Sequence, residues 1–385
     1  MSEVKIGIIG IGNMGSSHAQ NIFQGKVKGA KLTAVCDIDD QRLEWAKNTL
    51  EEEIDCYSTP AEFYAGADIE AVIIATPHYD HPSLAIEGFN KDLHVLIEKP
   101  AGVYTKAVRE MNQAAAKSDK VFAIMYNQRT RAIYQKLKDL IDSGELGEIK
   151  RTNWIIDWYR SQSYYNNGGW RATWEGEGGG VLLNQDPHQL DIWQWTCGMP
   201  VKVRAFAENG KYHNIEVEDN VTAYVEYENG ATGVFVTSTG IAPETNRLEI
   251  TGNKGKLILE DNKITFRRLR TPEREFNKNF EGGFGSPECW ECKIPVEGGN
   301  PEHLGILNNW LDAILNGSEL IAPGAEGIKG LTISNAMHLS AWTDDWVELP
   351  LDEDLFKKKL DEKIENSTFV KENSEKGPME VEGTF

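Results

Sequence analysis

Near its amino terminus the chain reads Val4-Lys5-Ile6-Gly7-Ile8-Ile9 and then Gly10-Ile11-Gly12-Asn13-Met14-Gly15. The first run is short, apolar and β-branched, which is typical of a buried parallel strand. The second run is a G-x-G-x-x-G pattern that opens a helical stretch, 16–24. Glycines at this spacing allow a tight turn, a close approach of the backbone to a pyrophosphate, and close packing of helix on strand. The stretch therefore predicts a dinucleotide site with the phosphates at a helix N-terminus.

Asp37 follows the next apolar run, 32–36, at roughly the 20-residue distance at which such sites carry an acid. A carboxylate there accepts hydrogen bonds from ribose hydroxyls and repels a 2′-phosphate, and Ile38-Asp39-Asp40 adds no cation. These residues favour NAD over NADP, with an ordinary glycine turn and a surface acid as the alternative. The residues of this unit predicted to bind NAD are Gly10, Gly12, Asn13, Met14, Asp37 and Ile38.

Composition argues against several classes of function. The chain has 385 residues and a net charge of −20, so it is long enough for about two domains and too acidic for nucleic acid or an anionic membrane surface. It lacks an apolar run of about 20 residues and a basic-then-apolar leader. We therefore expect a soluble cytoplasmic protein.

Five cysteines, an odd number, do not suggest a disulfide framework. Cys289-Trp290-Glu291-Cys292 is a C-x-x-C pattern in a strand-like stretch, and it has no second pair of cysteines, so it makes a poor zinc site. A redox role for this pair stays open, and no metal is expected.

Strands and helices alternate up to about Tyr126, which predicts a doubly wound parallel sheet. Its predicted strands are 5–9, 32–36, 71–75, 94–97 and 121–125. Ligands bind beyond the carboxyl ends of such strands. The segments that follow the strands should therefore line one crevice with the glycine turn. They add Thr76, His78, His81, Glu98, Lys99 and Asn127 to the predicted cofactor-binding residues.

Lys99 stands out among them, because it lies between an acid and a proline at the end of a buried strand. Burial and a nearby nicotinamide charge would lower its pKa and suit it to proton transfer. The alternative is a structural Lys–Glu pair that caps the strand.

From Glu148 onward the pattern changes to longer strands joined by turns, which predicts a second, mostly antiparallel sheet. The predicted strands are 149–158, 201–208, 221–228, 232–237, 247–251, 256–260 and 263–268, and two helices follow at 301–315 and 324–340. We expect a dinucleotide-binding domain over 1–126, a substrate-binding and oligomerisation domain over 127–348, and a charged tail over 349–385. The tail is expected to be loosely packed or used at a subunit contact.

Between the first two strands of the second sheet lies a segment that mixes aromatic residues with Arg, Asn and Gly, from Trp158 to Arg171. Flat rings stack on the C–H faces of sugars and polar tips bond hydroxyls, so the segment predicts a sugar-binding loop; an aromatic contact between domains is the alternative. Asp186-Pro187-His188-Gln189 then predicts a capping box at the start of a helix that runs to Cys197. The positive end of the helix dipole would keep His188 neutral, with Asp191 orienting its ring. A purely structural histidine is the alternative.

Three motifs in this order resemble the glucose–fructose oxidoreductase/inositol dehydrogenase (Gfo/Idh/MocA) family over roughly residues 4–345. They are Gly10–Gly15, Glu98-Lys99-Pro100, and Gly178-Gly179-Gly180 followed by His188-x-x-Asp191. The resemblance implies an N-terminal Rossmann domain and a C-terminal α/β domain whose open sheet often forms dimer or tetramer contacts. It also implies hydride transfer between NAD(P) and a sugar or cyclitol carbon, with Lys99 and His188 as the catalytic, proton-handling pair.

Two positions depart from the family pattern. Many members carry an aspartate four residues before the histidine, where this chain has Asn184. An amide positions a hydroxyl or the imidazole but cannot stabilise imidazolium by charge, which shifts the proton transfer toward Lys99. His78 also stands where many relatives carry a different polar residue.

The leading hypothesis is an NAD-dependent oxidoreductase acting on a secondary alcohol of a sugar, glycoside or inositol, as a homo-oligomer. A glycosidase that recycles bound NAD through transient oxidation at the 3-position is one alternative, and a non-catalytic sensor of NAD and sugar is another. Trp170 and Arg171 are also predicted to bind the cofactor, at the edge of the nicotinamide. The predicted substrate contacts are Lys99, Tyr126, Trp158, Tyr159, Arg160, Tyr165, Asn167, Arg171, Asn184 and His188.

Overall fold

The computed structural model describes residues 3–50 and 54–371. Its first part is a six-stranded parallel sheet in the order β3-β2-β1-β4-β5-β6. The strands are β1 (Val4–Ile9), β2 (Ala30–Cys36), β3 (Asp55–Tyr57), β4 (Ala71–Ile74), β5 (His94–Ile97) and β6 (Phe122–Ile124). The helices between them are α1 (Asn13–Phe23), α2 (Asp40–Thr49), α3 (Pro60–Gly66), α4 (His81–Asn90) and α5 (Thr105–Ala115).

The central strands of this sheet are buried on both faces, which is why they read as continuous apolar runs. All four residues of β4 are buried, and so are Ile6, Ile8 and Ile9 of β1. The strand order reverses between β1 and β4, which creates a crevice at their carboxyl ends. Strand β3 escaped prediction because it has only three residues, none of them fully buried.

The second part is a nine-stranded sheet in the order β14-β13-β12-β11-β7-β10-β9-β8-β15. Its neighbouring strands pair antiparallel, except that β7 and β10 run parallel. This confirms the predicted fold class. The strands are β7 (Ile149–Asp157), β8 (Lys202–Asn209), β9 (Glu218–Glu226), β10 (Thr232–Ser238), β11 (Asn246–Gly252), β12 (Gly255–Glu260), β13 (Lys263–Leu269), β14 (Cys289–Ile294) and β15 (Val347–Glu348).

Helices cover one face of this sheet. Trp193 stacks on Phe235 of β10 with ring centroids 5.4 Å apart, and its indole N–H donates to Thr152 Oγ1 at 3.1 Å. The remaining helices are α6 (Ala132–Asp142), α7 (Gln162–Asn166), α8 (Val181–Asn184), α9 (Pro187–Cys197), α10 (Glu273–Asn279), α11 (Glu302–Asn316), α12 (Gly327–Thr343) and α13 (Glu353–Glu365).

Buried hydrogen bonds join the parts, among them those made by Asn335 and by Ile124. Asn335 of α12 accepts the Thr105 N–H at 3.1 Å and donates its amide to the Val103 carbonyl at 3.0 Å. The Ile124 N–H of β6 donates to the Ala322 carbonyl at 3.1 Å. The crevice at the carboxyl edge of the parallel sheet therefore faces the second part across a fixed junction.

The predicted loose packing of the tail is wrong for α13. Phe356 and Leu360 are buried, and Phe356 stacks on Trp342 of α12 with ring centroids 5.2 Å apart. Residues 372–385 of the predicted tail lie outside the described residues. Cys289 and Cys292 lie on β14, three positions apart, so their side chains point to opposite faces of the sheet. Across the part of the chain that is described, no helix combines the length and apolar character needed to span a bilayer.

Candidate active site

The glycine turn between β1 and α1 has the shape that a dinucleotide needs. Gly10 adopts a left-handed φ of 84°, and a side-chain carbon on Gly15 would lie 1.8 Å from the Gly10 carbonyl oxygen. Around Gly12, by contrast, a side-chain carbon would meet no atom within 4 Å. The first turn of α1, which includes Asn13 and Met14, has neither a side-chain cap nor an acidic residue. Its amides and the open space at Gly12 thus fit a pyrophosphate.

Asp37 is fixed beside this turn by two main-chain amides. Its Oδ2 accepts the Ile11 N–H at 2.8 Å, and its Oδ1 accepts the Asp39 N–H at 2.9 Å. Each carboxylate oxygen keeps a second lone pair for a ribose hydroxyl. The neighbouring Ile38 is 86% exposed, so it offers an apolar surface at the mouth of the crevice. The residues present fit NAD.

Two histidines follow β4, and they serve different purposes. The His81 ring is buried between two carbonyl oxygens, with Nδ1 2.8 Å from Pro100 O and Nε2 2.8 Å from Thr76 O. It joins the segments that follow β4 and β5, and its contact with the cofactor stays a prediction. His78 instead reaches the aromatic loop: its Nδ1 lies 3.3 Å from the Glu177 carbonyl and its ring meets Trp170 edge-on at 5.4 Å.

Glu98 does not pair with the Lys99 ammonium. Its Oε1 lies 2.7 Å from His18 Nε2, and its Oε2 accepts the main-chain N–H of Lys99 at 3.1 Å. Burial opposes ionisation, but the hydrogen bond and charge of His18 outweigh it and hold the pKa of Glu98 below its usual value. The alternative of a Lys–Glu side-chain pair that caps the strand is therefore wrong.

The Lys99 side chain crosses the crevice to the second part of the protein. Its Nζ donates to the Asn184 carbonyl at 2.8 Å. Burial, helped by the charges of Arg171 and Arg160 and opposed by those of Glu98 and Glu177, lowers the pKa of Lys99 to about 8. The neutral amine is thus within reach near neutral pH, which is what a general base requires.

His188 and Asn127 are buried side chains whose polar atoms are unpaired among the described residues. His188 is 6% exposed and Asn127 is fully buried, yet neither ring nitrogen of His188 and neither amide atom of Asn127 has a hydrogen-bond partner among the described residues. Burial, with the charge of Lys99 added, lowers the pKa of His188 well below its usual value, so the imidazole is neutral. The ring packs edge-on against Tyr126 at 6.1 Å. Buried polar groups are normally hydrogen-bonded, so these atoms are available to a ligand or to water.

Two predicted contacts of α9 are wrong. Asp191 does not orient His188, because its carboxylate forms a bidentate ion pair with Arg129 at 2.6 and 2.7 Å. Asp186 does not cap the helix, because the chain arrives from α8 already in a helical path, and its side chain accepts the Trp158 indole N–H at 2.9 Å instead. Burial raises the pKa of Asp186 to about 8.

Tyr164 is central to the aromatic loop, although the sequence analysis predicted Tyr165 and not Tyr164 as a substrate contact. Its hydroxyl is contacted by Arg171 Nη1 at 2.8 Å, by Gln185 Nε2 at 3.1 Å and by Asn184 Nδ2 at 3.3 Å. The guanidiniums of Arg171 and Arg160 lie 4.5 and 5.4 Å from the centre of its ring. Tyr164 and Tyr165 are neighbours in the short helix α7, so their side chains point in different directions.

The structure places other loop residues away from this cluster. The Tyr165 hydroxyl donates to Thr239 Oγ1 at 2.7 Å, and its ring lies 4.8 Å from that of His213. Tyr159 is 48% exposed, and its carbonyl accepts from Arg160 Nη1 at 2.8 Å. Contact or charge links several predicted residues around Lys99, namely Arg160, Arg171, Asn184 and His188, together with Glu98, His78, Tyr126, Trp158 and Trp170 at its edges. Glu177, Tyr164 and Gln185 join them without having been predicted.

Two family models match the chain in succession. A model described as an oxidoreductase family with an NAD-binding Rossmann fold matches residues 4–126. A model described as the GFO/IDH/MocA C-terminal domain matches residues 134–258. Together they cover more than half of the 385 residues. The predictions of NAD as cofactor and of a Rossmann domain are confirmed.

Relatives and solved structures agree with these matches. The myo-inositol 2-dehydrogenase of Thermotoga maritima is 24% identical over 67% of this chain and 75% of its own length. The scyllo-inositol 2-dehydrogenase (NAD(+)) of Bacillus subtilis is 24% identical over 76% of this chain and 84% of its own. The WlbA dehydrogenase of Chromobacterium violaceum, solved with NADH and UDP-GlcNAcA, is 28% identical with a TM-score of 0.78, over 91% of this chain and 97% of that chain.

Proposed function

The chain belongs to the Gfo/Idh/MocA family of NAD-binding oxidoreductases, and from that premise we propose that it is an NAD-dependent dehydrogenase of a sugar, glycoside or inositol. The observation that carries this proposal is the half-buried Lys99 amine, whose charge acts on the buried His188 ring, because neither ring nitrogen of His188 has a hydrogen-bond partner among the described residues. Two curated relatives are named for inositols, and one solved relative holds a sugar nucleotide. A ring bearing several hydroxyls is the substrate class common to them.

NAD, when bound, supplies the acceptor for hydride from the substrate C–H bond. The residues of the chain handle the proton and the orientation. Lys99 Nζ, aimed by the Asn184 carbonyl, takes the proton of the reacting hydroxyl in its neutral form. The neutral His188 ring accepts a hydrogen bond from the same or the adjacent hydroxyl. Arg160, Arg171 and Tyr164 present cationic and aromatic surface to the remainder of the ring.

Turnover is tested by incubating the protein with NAD and a panel of inositols, free sugars and glycosides while following NADH absorbance. General base catalysis is worth ~10²–10⁴-fold, so Lys99→Ala should lower kcat by about that factor. Its affinity for NAD, measured by calorimetry, should change little. Lys91→Ala, at the exposed end of α4, is the matched control and should turn over as the wild type does.

Two outcomes would contradict the proposal. Equal turnover by Lys99→Ala and the wild type would remove Lys99 from proton transfer. Sugar release from a glycoside without net NADH would instead indicate the recycling glycosidase, because that reaction returns hydride to the substrate.

A further inference from the structure

Glu177 lies in the glycine-rich approach to α8, and its side chain is 1% exposed. Its Oε2 accepts the Ala172 N–H at 2.6 Å, and its Oε1 accepts the Asn184 amide and lies 3.7 Å from Arg171 Nη1. All three groups are donors and none of them accepts. Burial raises the pKa of Glu177 above its usual value, and the charge of Arg171 and the hydrogen bonds from Ala172 and Asn184 oppose that rise. The donors that surround the side chain match the ionised carboxylate.

The carboxylate also holds an unusual turn. Ala172 has a φ of 63°, in the left-handed region that non-glycine residues rarely adopt. Such a conformation persists where the surroundings fix it, and here the Ala172 N–H is fixed by Glu177. The adjacent Arg171 guanidinium is thereby held 4.5 Å from the centre of the Tyr164 ring.

Asn184 connects this turn to Lys99. Its side-chain amide donates to Glu177, and its main-chain carbonyl accepts the Lys99 Nζ at 2.8 Å. The carboxylate therefore acts on the lysine both through Asn184 and through its own charge. The other charged or titratable groups that face Lys99 are Glu98, Arg160, Arg171, His78, His188 and His303. Those that face Glu177 are Arg171, Glu218, Lys371 and Tyr165.

We propose that Glu177 is a positioning residue that fastens the Arg171 turn to Asn184 and supplies a buried negative charge beside the Lys99 amine. It offsets the charges of Arg160 and Arg171, which would otherwise drive the proton off Lys99 at lower pH. The inference rests on the proposed function for its effect on turnover. Its effect on Lys99 itself does not depend on any substrate.

The first test measures Lys99 directly in the full-length protein. Acetic anhydride reacts with neutral amines, so the extent of Lys99 labelling against pH, read by mass spectrometry, reports the pKa of that group. Glu177→Gln should lower the pKa of Lys99 by roughly one unit, the size expected for the loss of a nearby opposite charge. Glu175→Gln removes the same charge from an exposed position of the same loop and should leave it unchanged. Equal pKa values in Glu177→Gln and the wild type would overturn the proposal.

Glu177→Gln leaves Arg171 without its carboxylate, which destabilises the fold. A second pair of variants therefore tests the charge of Glu177 in a protein that lacks the Arg171 guanidinium. Arg171→Gln alone should raise the pKa of Lys99, and adding Glu177→Gln in that background should lower it again. No difference between the single and the double variant would also overturn the proposal.

The second test follows kcat against pH once a substrate is known. The acidic limb should move to lower pH in Glu177→Gln and stay in place in Glu175→Gln. A limb that stays in place in both variants would refute the assigned role. A wild type without turnover on any substrate would count against the proposed function alone, since the labelling still decides the role of Glu177.

Discussion

Gly12 and Gly15, at the start of α1, should differ in how much their replacement by alanine lowers stability. In Gly15→Ala the new methyl carbon would lie 1.8 Å from the Gly10 carbonyl oxygen and 2.9 Å from its carbon. These are backbone atoms, so the turn must shift by more than 1 Å, and overpacking of this kind costs about 1–3 kcal/mol. In Gly12→Ala the methyl meets no protein atom within 4 Å, so the free energy of unfolding should change by less than about 0.5 kcal/mol.

The effect of Gly12→Ala on NAD affinity should be large, in contrast to its small effect on stability. The Gly12 methyl occupies the space through which the backbone approaches the pyrophosphate, so Gly12→Ala should weaken binding at least tenfold, about 1.4 kcal/mol. With NAD at about 100 times its dissociation constant, the wild type gains about 2.7 kcal/mol of stability, and a tenfold weaker variant gains about 1.4 kcal/mol.

Calorimetric titration and thermal melting with and without NAD measure both quantities. Gly15→Ala should melt lower in the absence of NAD, whereas Gly12→Ala should melt like the wild type and gain less from the cofactor. Wild-type affinity in Gly12→Ala would refute the placement of the pyrophosphate. If Gly12→Ala melted at a temperature as low as that of Gly15→Ala, the open space at Gly12 would be refuted.

Three further predictions concern titration and buried charge. The rate of alcohol oxidation should rise as pH increases through about 8, and the reverse reduction should slow over the same range, because Lys99 is the base when neutral and the acid when protonated; stopped-flow rates with opposite trends would contradict this. The raised pKa of Asp186, about 8, means that the folded state keeps a proton that the unfolded state releases, so this residue makes the wild type less stable as pH rises from about 4 to 8. Asp186→Asn should lack this dependence. Between pH 5 and pH 9, the free energy of unfolding in urea should fall by at least about 1.4 kcal/mol less in the variant than in the wild type. Asp191→Ala should cost roughly 3 kcal/mol in the same assay, because it strips the buried Arg129 guanidinium of its bidentate partner; a loss below about 1 kcal/mol would show that Glu326 alone suffices.

The parallel sheet was the most predictable part of the molecule. Strands such as β4 and β5 are short runs buried on both faces, so the apolar pattern alone marks them. Strand β3 has three residues with partial exposure and no such pattern. Seven of the nine strands of the second sheet were predicted within a few residues of their observed ends, because turn residues bound them, while β14 and β15 were not among the predicted strands.

The candidate site was less predictable, because its side chains are paired by contacts distant in sequence. The spacing of His188 and Asp191 puts them on neighbouring turns of α9, but Arg129 arrives from 62 residues earlier and takes the carboxylate. The sequence Asp186-Pro187 has the composition of a cap, yet the preceding helix α8 leaves no extended residue for one. Local patterns locate Lys99 and His188, and their roles stay predictions, but such patterns do not determine which partner each side chain binds.

The junction between the two sheets bears on how relatives of this protein diverge. The Asn335 amide and the Ile124–Ala322 hydrogen bond join residues from both parts at buried positions. Apart from the Asn335 amide, the groups in these connections belong to the main chain, so a chimera that joins the two sheets of different relatives keeps the junction only where the second sheet brings an asparagine at that position. The aromatic loop between β7 and α8 contributes to neither connection. An exchange of that loop would therefore leave both of these hydrogen-bonded connections in place, although it would replace the groups that His78 and Tyr79 contact.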